Sequence, residues 1–97
     1  MKLTKKEIQA IEQLGWSVKK TDDGYLLENY SPCGGDMVIE ESDKEGIIEY
    51  CQNYDAEDEF NCWWGAHNGE PSTPSELWQD CLDKGEMYEQ LKALLDK

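Results

Sequence analysis

The stretch "WSVKKTDDGYLLENYSPCGGDMVIEE", residues 16–41, decides the fold. It holds three short β-type runs, around Val18, from Tyr25 to Tyr30 and from Met37 to Glu41. "DDG" (22–24) between the first two is a hairpin signal, and "SPCGGD" (31–36) is a turn before the third. Strands joined this tightly pair with their sequence neighbours, which predicts an antiparallel meander with helices packed on one face.

Helical signals flank the meander. "TKKE" (4–7) is a capping box opening a helix with Ile8, Ile11 and Leu14 at helical spacing, and Gly15 can end it. "SDKE" (42–45) has the same form and precedes a stripe of Ile47, Ile48, Cys51 and Tyr54. Asp55 can cap a third helix with the stripe Ala56, Phe60, Trp63, Trp64. "TPSE" (73–76), with Pro74 at the favoured first helical position, opens a fourth that carries Met87, Leu91, Leu94 and Leu95 near its end. The expectation is an α+β fold forming a single compact domain over 1–97. It comprises a three-stranded antiparallel sheet with an N-terminal helix and three to four following helices. Their spans are 5–14, 43–53, 56–66 and 75–95, the last interrupted near Gly85.

Composition narrows the function. Asp and Glu number 22 against 9 basic residues, a net charge of -13. Every basic residue is Lys, so the planar fork that reads phosphates and base edges is missing, and direct nucleic-acid binding is disfavoured. No run reaches the roughly 18 apolar residues of a membrane span. "MKLTKKEIQAIEQLGW" (1–16) has no apolar signal-peptide core, and the expectation is a cytoplasmic protein.

The charge is unevenly placed. Residues 1–20 hold five lysines against Glu7 and Glu12, whereas residues 36–59 hold ten acids against Lys44 alone. Several of these acids fall in first helical turns, where the helix dipole stabilises them, and a solvated face is the usual fate of such a run. Ten nearly uncompensated acids nevertheless make a sustained negative field, whose natural target is a basic groove on another protein. Candidate partner-binding residues are Glu40, Glu41, Asp55, Glu57, Asp58 and Glu59 as steering charges. Trp63 or Trp64 is the candidate apolar anchor. Changing Asp55, Glu57, Asp58 and Glu59 together to Ser is expected to weaken binding and leave the fold intact.

The cysteines, Cys33, Cys51, Cys62 and Cys81, form no CxxC pair, and His67 is the only histidine. A dispersed zinc site stays open, with Cys33, Cys51, Cys62 and His67 as candidate ligands and Cys81 as the replacement for His67. Cys51 and Cys81 fall on apolar stripes, where a buried thiol acting as a small hydrophobe suffices. No nucleophile, base and orienting group stand together in the pattern, so no enzyme is expected.

The segments "LENYSPCGGDMVIE" (27–40), "YDAEDEFNCWW" (54–64) and "PSTPSELWQD" (71–80) resemble small acidic proteins carried by phages and mobile elements. Some proteins of that kind are anti-CRISPR or anti-restriction inhibitors. The resemblance implies a non-enzymatic inhibitor of a defence nuclease, most concretely a Cas9-type one, blocking DNA loading or binding through an acidic surface. The chain departs from that pattern at Cys33 and Cys51, where a small residue such as Ala is expected, and at Cys62, in a Met-like position. These are either neutral core swaps or an acquired metal site. The alternatives to inhibition are a small zinc-stabilised protein-binding module and an antitoxin-like neutraliser of a basic partner.

Overall fold

A computed structural model describes residues 2–64 and 73–96, and the side chains of Trp63 and Trp64 lie outside the described set. The order is α1 (Lys5–Gln13), β1 (Ser17–Lys20), β2 (Tyr25–Tyr30), β3 (Asp36–Glu41), α2 (Lys44–Gln52), α3 (Ala56–Trp64) and α4 (Pro74–Leu95). The fold is α+β, with four helices and a sheet in the order β1-β2-β3, antiparallel throughout.

Local chemistry explains the boundaries. Thr4 and Glu7 form the anticipated capping box, and Gly15, at φ 106°, turns the chain out of α1. Thr21 and Gly24 close the first hairpin, the Thr21 N–H donating to the Gly24 carbonyl at 2.9 Å. Only glycine fits at position 24, because a Cβ there would run into the Glu41 carbonyl on the neighbouring strand. α2 differs from expectation: its N-cap is Asp43, not Ser42, and the Asp43 carboxylate accepts the Gly46 N–H at 2.9 Å. Asp55 caps α3 and Thr73 caps α4, as their positions predict.

One sheet face makes the core. Period-two alternation puts Tyr25 and Leu27 of β2 beside Met37 and Ile39 of β3, all buried. Leu3, Ile11, Trp16, Ile47, Cys51, Tyr88, Leu91 and Leu95 complete the cluster, so α1, α2 and the C-terminal half of α4 cover the same face. Tyr88 sits among aromatic rings, its centroid 4.8 Å from Tyr54, 5.7 Å from Tyr50 and 5.9 Å from Trp16. Leu14, the last member of the α1 stripe, is instead the C-cap and is exposed.

The expected interruption of the last helix is absent: α4 runs unbroken for 22 residues. Gly85 is tolerated because its bare Cα lies against the Tyr54 ring, where a Cβ would sit 3.4 Å from the nearest ring carbon. Continuity lets α4 serve two places. Its C-terminal half enters the core, while its N-terminal half packs on α3 and on the turn before β3.

Candidate functional site

Four of the six candidate acids converge. Glu41 from the end of β3, Glu49 from α2, and Asp55, Asp58 and Glu59 from the start of α3 line one open groove of about 420 Å³. Tyr50 and Tyr54 supply its aromatic wall, Tyr50 being 39% exposed. The carboxylates are placed by backbone. Asp55 is held by its cap bond to the Glu57 N–H at 3.0 Å, and Asp58 and Glu59 follow in the first turn of α3. Tyr54 is fixed by its hydroxyl, which donates to the Cys81 carbonyl at 2.8 Å, and burial pushes its phenol well above the usual range.

The other two candidate acids stand apart. Glu40 points to the opposite sheet face from Glu41 and lines only a second hollow, with Asp22 and Asp23 of the hairpin turn, which Glu41 borders too. Glu57 is exposed on α3 and does not line the groove. Glu49 joins the site without having been singled out. Its signal is present in the helix pattern, since it lies off the Ile47–Cys51 stripe and therefore outward. Trp63 and Trp64 end α3, and their side chains lie outside the described residues.

Beneath the groove is a polar knot that the motifs do not reveal. Lys84 of α4, with its side chain 8% exposed, pairs with Glu59 at 3.4 Å. One turn earlier Asp80 is buried and accepts from Ser31 Oγ at 2.8 Å and from the Cys33 N–H at 3.1 Å. Ser31 Oγ in turn accepts the Gly35 N–H at 2.8 Å. The turn 31–35 is thus bolted to α4, and α3 to the same helix, through charged groups held in place by hydrogen bonds. Glu59 therefore also fastens α3 to α4, so the fourfold Ser variant is expected to lose some stability along with binding.

The cysteines are dispersed. Cys33 lies in the β2–β3 turn, Cys51 in the core, Cys62 exposed on α3 and Cys81 buried in α4, and none is in a disulfide. Burial pushes the Cys51 thiol up to about 12, with the Glu89 carboxylate adding to the effect. Burial likewise raises Cys81. Among the described residues no three His, Cys, Asp or Glu side chains are grouped to hold a metal ion, and His67 lies outside them. No described helix is long and apolar enough to cross a membrane.

Comparison with family models, curated proteins and solved structures returns no match. The functional argument accordingly stands on the groove itself. Five carboxylates from three elements face one open space, beside an aromatic wall.

Proposed function

We propose that the protein is a non-enzymatic inhibitor that binds, through the α2–α3 groove, a basic protein surface otherwise occupied by nucleic acid. A Cas9-type defence nuclease is the target assigned first. The carrying observation is the convergence of Glu41, Glu49, Asp55, Asp58 and Glu59 on one side of the molecule. Carboxylates anchored on capped helices offer a fixed negative array, so little side-chain entropy is lost when Lys or Arg residues meet it. The net charge of -13 extends that local array into a long-range field, which speeds encounter with a basic partner. Tyr50 adds a ring face for a guanidinium beside the acids.

The test is target-DNA binding by guide-loaded Cas9, with and without the protein, at low and moderate salt. Loss of DNA binding that weakens as salt rises is the expected result. The informative variant combines Glu49→Gln, Asp55→Ser and Asp58→Asn, because Ser keeps the α3 cap and Glu59 is left to Lys84. Its association with the nuclease is expected to slow by about tenfold at low salt. An unchanged association rate would remove the acidic groove from the mechanism, and no effect on DNA binding by the unaltered protein would remove this target.

A further inference from the structure

Tyr54 and the first turn of α3 also border a second groove, of opposite character. Trp78 and Leu82, one turn apart on α4, are each 40% exposed, and what sets them apart from the other exposed apolar residues is that they adjoin on one helix face. The Trp78 ring meets Phe60 of α3 edge-on, centroids 5.8 Å apart at 86°, and Ala56 lies one turn before Phe60. These four residues make an apolar strip along the α3–α4 seam. The strip opens into a hollow of about 560 Å³ lined by Tyr54, Ala56, Leu82, Gly85, Glu86 and Glu89.

We propose that this seam docks an amphipathic helix of a partner protein, one carrying aliphatic anchors flanked by Lys or Arg. Three helices border the hollow, α2 through Cys51, α3 through Ala56 and α4 through Leu82 and Gly85, and their backbone groups are already engaged in their own ladders. An extended peptide would find no strand edge there to satisfy its N–H and C=O groups, whereas a helix satisfies its own. The positions Trp78, Leu82, Gly85 and Glu89 repeat at helical spacing and cover about 16 Å, three turns of a facing helix. Gly85 lines the hollow, with the Tyr54 ring packed close to its bare Cα. Glu86 and Glu89 rim the hollow, and so select basic flanks over acidic ones. This surface operates whether or not the acidic groove meets a nuclease.

The test titrates the full chain with an amphipathic peptide of about 14 residues, Leu at helical spacing and Lys elsewhere, followed by amide and indole NMR shifts. The control is a peptide of equal charge with every Leu replaced by Ser. The Leu-bearing peptide is expected to give saturable shifts at Leu82, Gly85, Glu89 and the Trp78 indole. Leu82→Ser, at an exposed position where folding is preserved, is expected to weaken that binding by about fivefold or more. In the Glu49, Asp55 and Asp58 variant the affinity ratio between the Leu and Ser peptides is expected to stay within about twofold of that of the unaltered chain, because the lost charges weaken both peptides alike, which separates this proposal from the acidic groove. Equal shifts from the Ser control, shifts confined to the acidic groove, or no effect of Leu82→Ser would each overturn it. So would a sedimenting dimer whose concentration-dependent shifts fall on this same strip, which would give the seam to a second copy of the chain.

Discussion

Ser31 Oγ donates to Asp80 Oδ2 across 2.8 Å, a bond that ties the β2–β3 turn to α4 over 49 residues of sequence. The other carboxylate oxygen takes the Cys33 N–H, and Asp80 is only 4% exposed. Asp80→Ala removes the acceptor of two hydrogen bonds, one buried and one part-buried. A loss of about 2–4 kcal/mol in urea unfolding is expected, with Asp80→Asn costing less because one acceptor survives. A loss below about 0.5 kcal/mol for Asp80→Ala would show that the knot carries no stability.

Neighbouring acids on α3 are expected to part company. Glu59→Gln removes the carboxylate that pairs with Lys84 at 3.4 Å and should destabilise by about 1–2 kcal/mol, less than a fully buried pair because Glu59 keeps some water contact. Asp58→Asn touches only the open groove and should change stability by less than about 0.5 kcal/mol. Parallel thermal melts decide the matter, and equal effects would contradict the pairing.

Glu7 contributes to the acid limb of stability. Lys44 Nζ lies 2.7 Å from Glu7 Oε2, with side chains 19% and 20% exposed. That hydrogen bond, with the Thr4 N–H second, holds the Glu7 carboxyl below its usual range. Because the folded value is the lower one, the stabilisation is complete above the unfolded glutamate value of about 4.3 and is lost as pH falls through the folded value. The stability difference between the unaltered chain and Glu7→Gln should therefore be about 1 kcal/mol at neutral pH and vanish in acid. A difference that grows on acidification would reverse the assignment.

Thiol labelling of the native protein is expected to divide the cysteines. Cys33 and Cys62 are exposed and should react at once, while Cys51 and Cys81 are buried with raised thiols and should react only on unfolding. Mass spectrometry of the labelled chain counts the adducts, and equal rates at Cys51 and Cys62 would show that the core opens on the labelling timescale.

The meander and three of the four caps are legible in the sequence because each is a local bargain between adjacent residues. Thr4, Asp55 and Thr73 bind donors two or three positions away. At α2, Ser42 and Asp43 are both competent caps, and the choice depends on which one reaches Gly46. Gly85 misleads because its helix penalty is local, whereas the Tyr54 ring that lies against it arrives from 31 positions earlier in the chain. The acidic groove is half legible. Charge counting finds its members, but strand alternation sends Glu40 to the other face, and the outward turn of α2 recruits Glu49. Asp80 and Lys84 read as ordinary surface charges on a helix, and their burial is a property of the docked turn and of α3.

The unbroken α4 gives the molecule two tiers of cooperativity. Its C-terminal half is locked with the sheet, so its amides there should exchange with solvent only through global unfolding. α3, which carries much of the acidic groove, packs chiefly on the N-terminal half of α4 and is fastened there by Glu59 and Phe60. The sheet and its covering helices are thus the stationary mount, and exchange at the α3 amides ahead of those in the C-terminal half of α4 is the expected sign of the weaker tier.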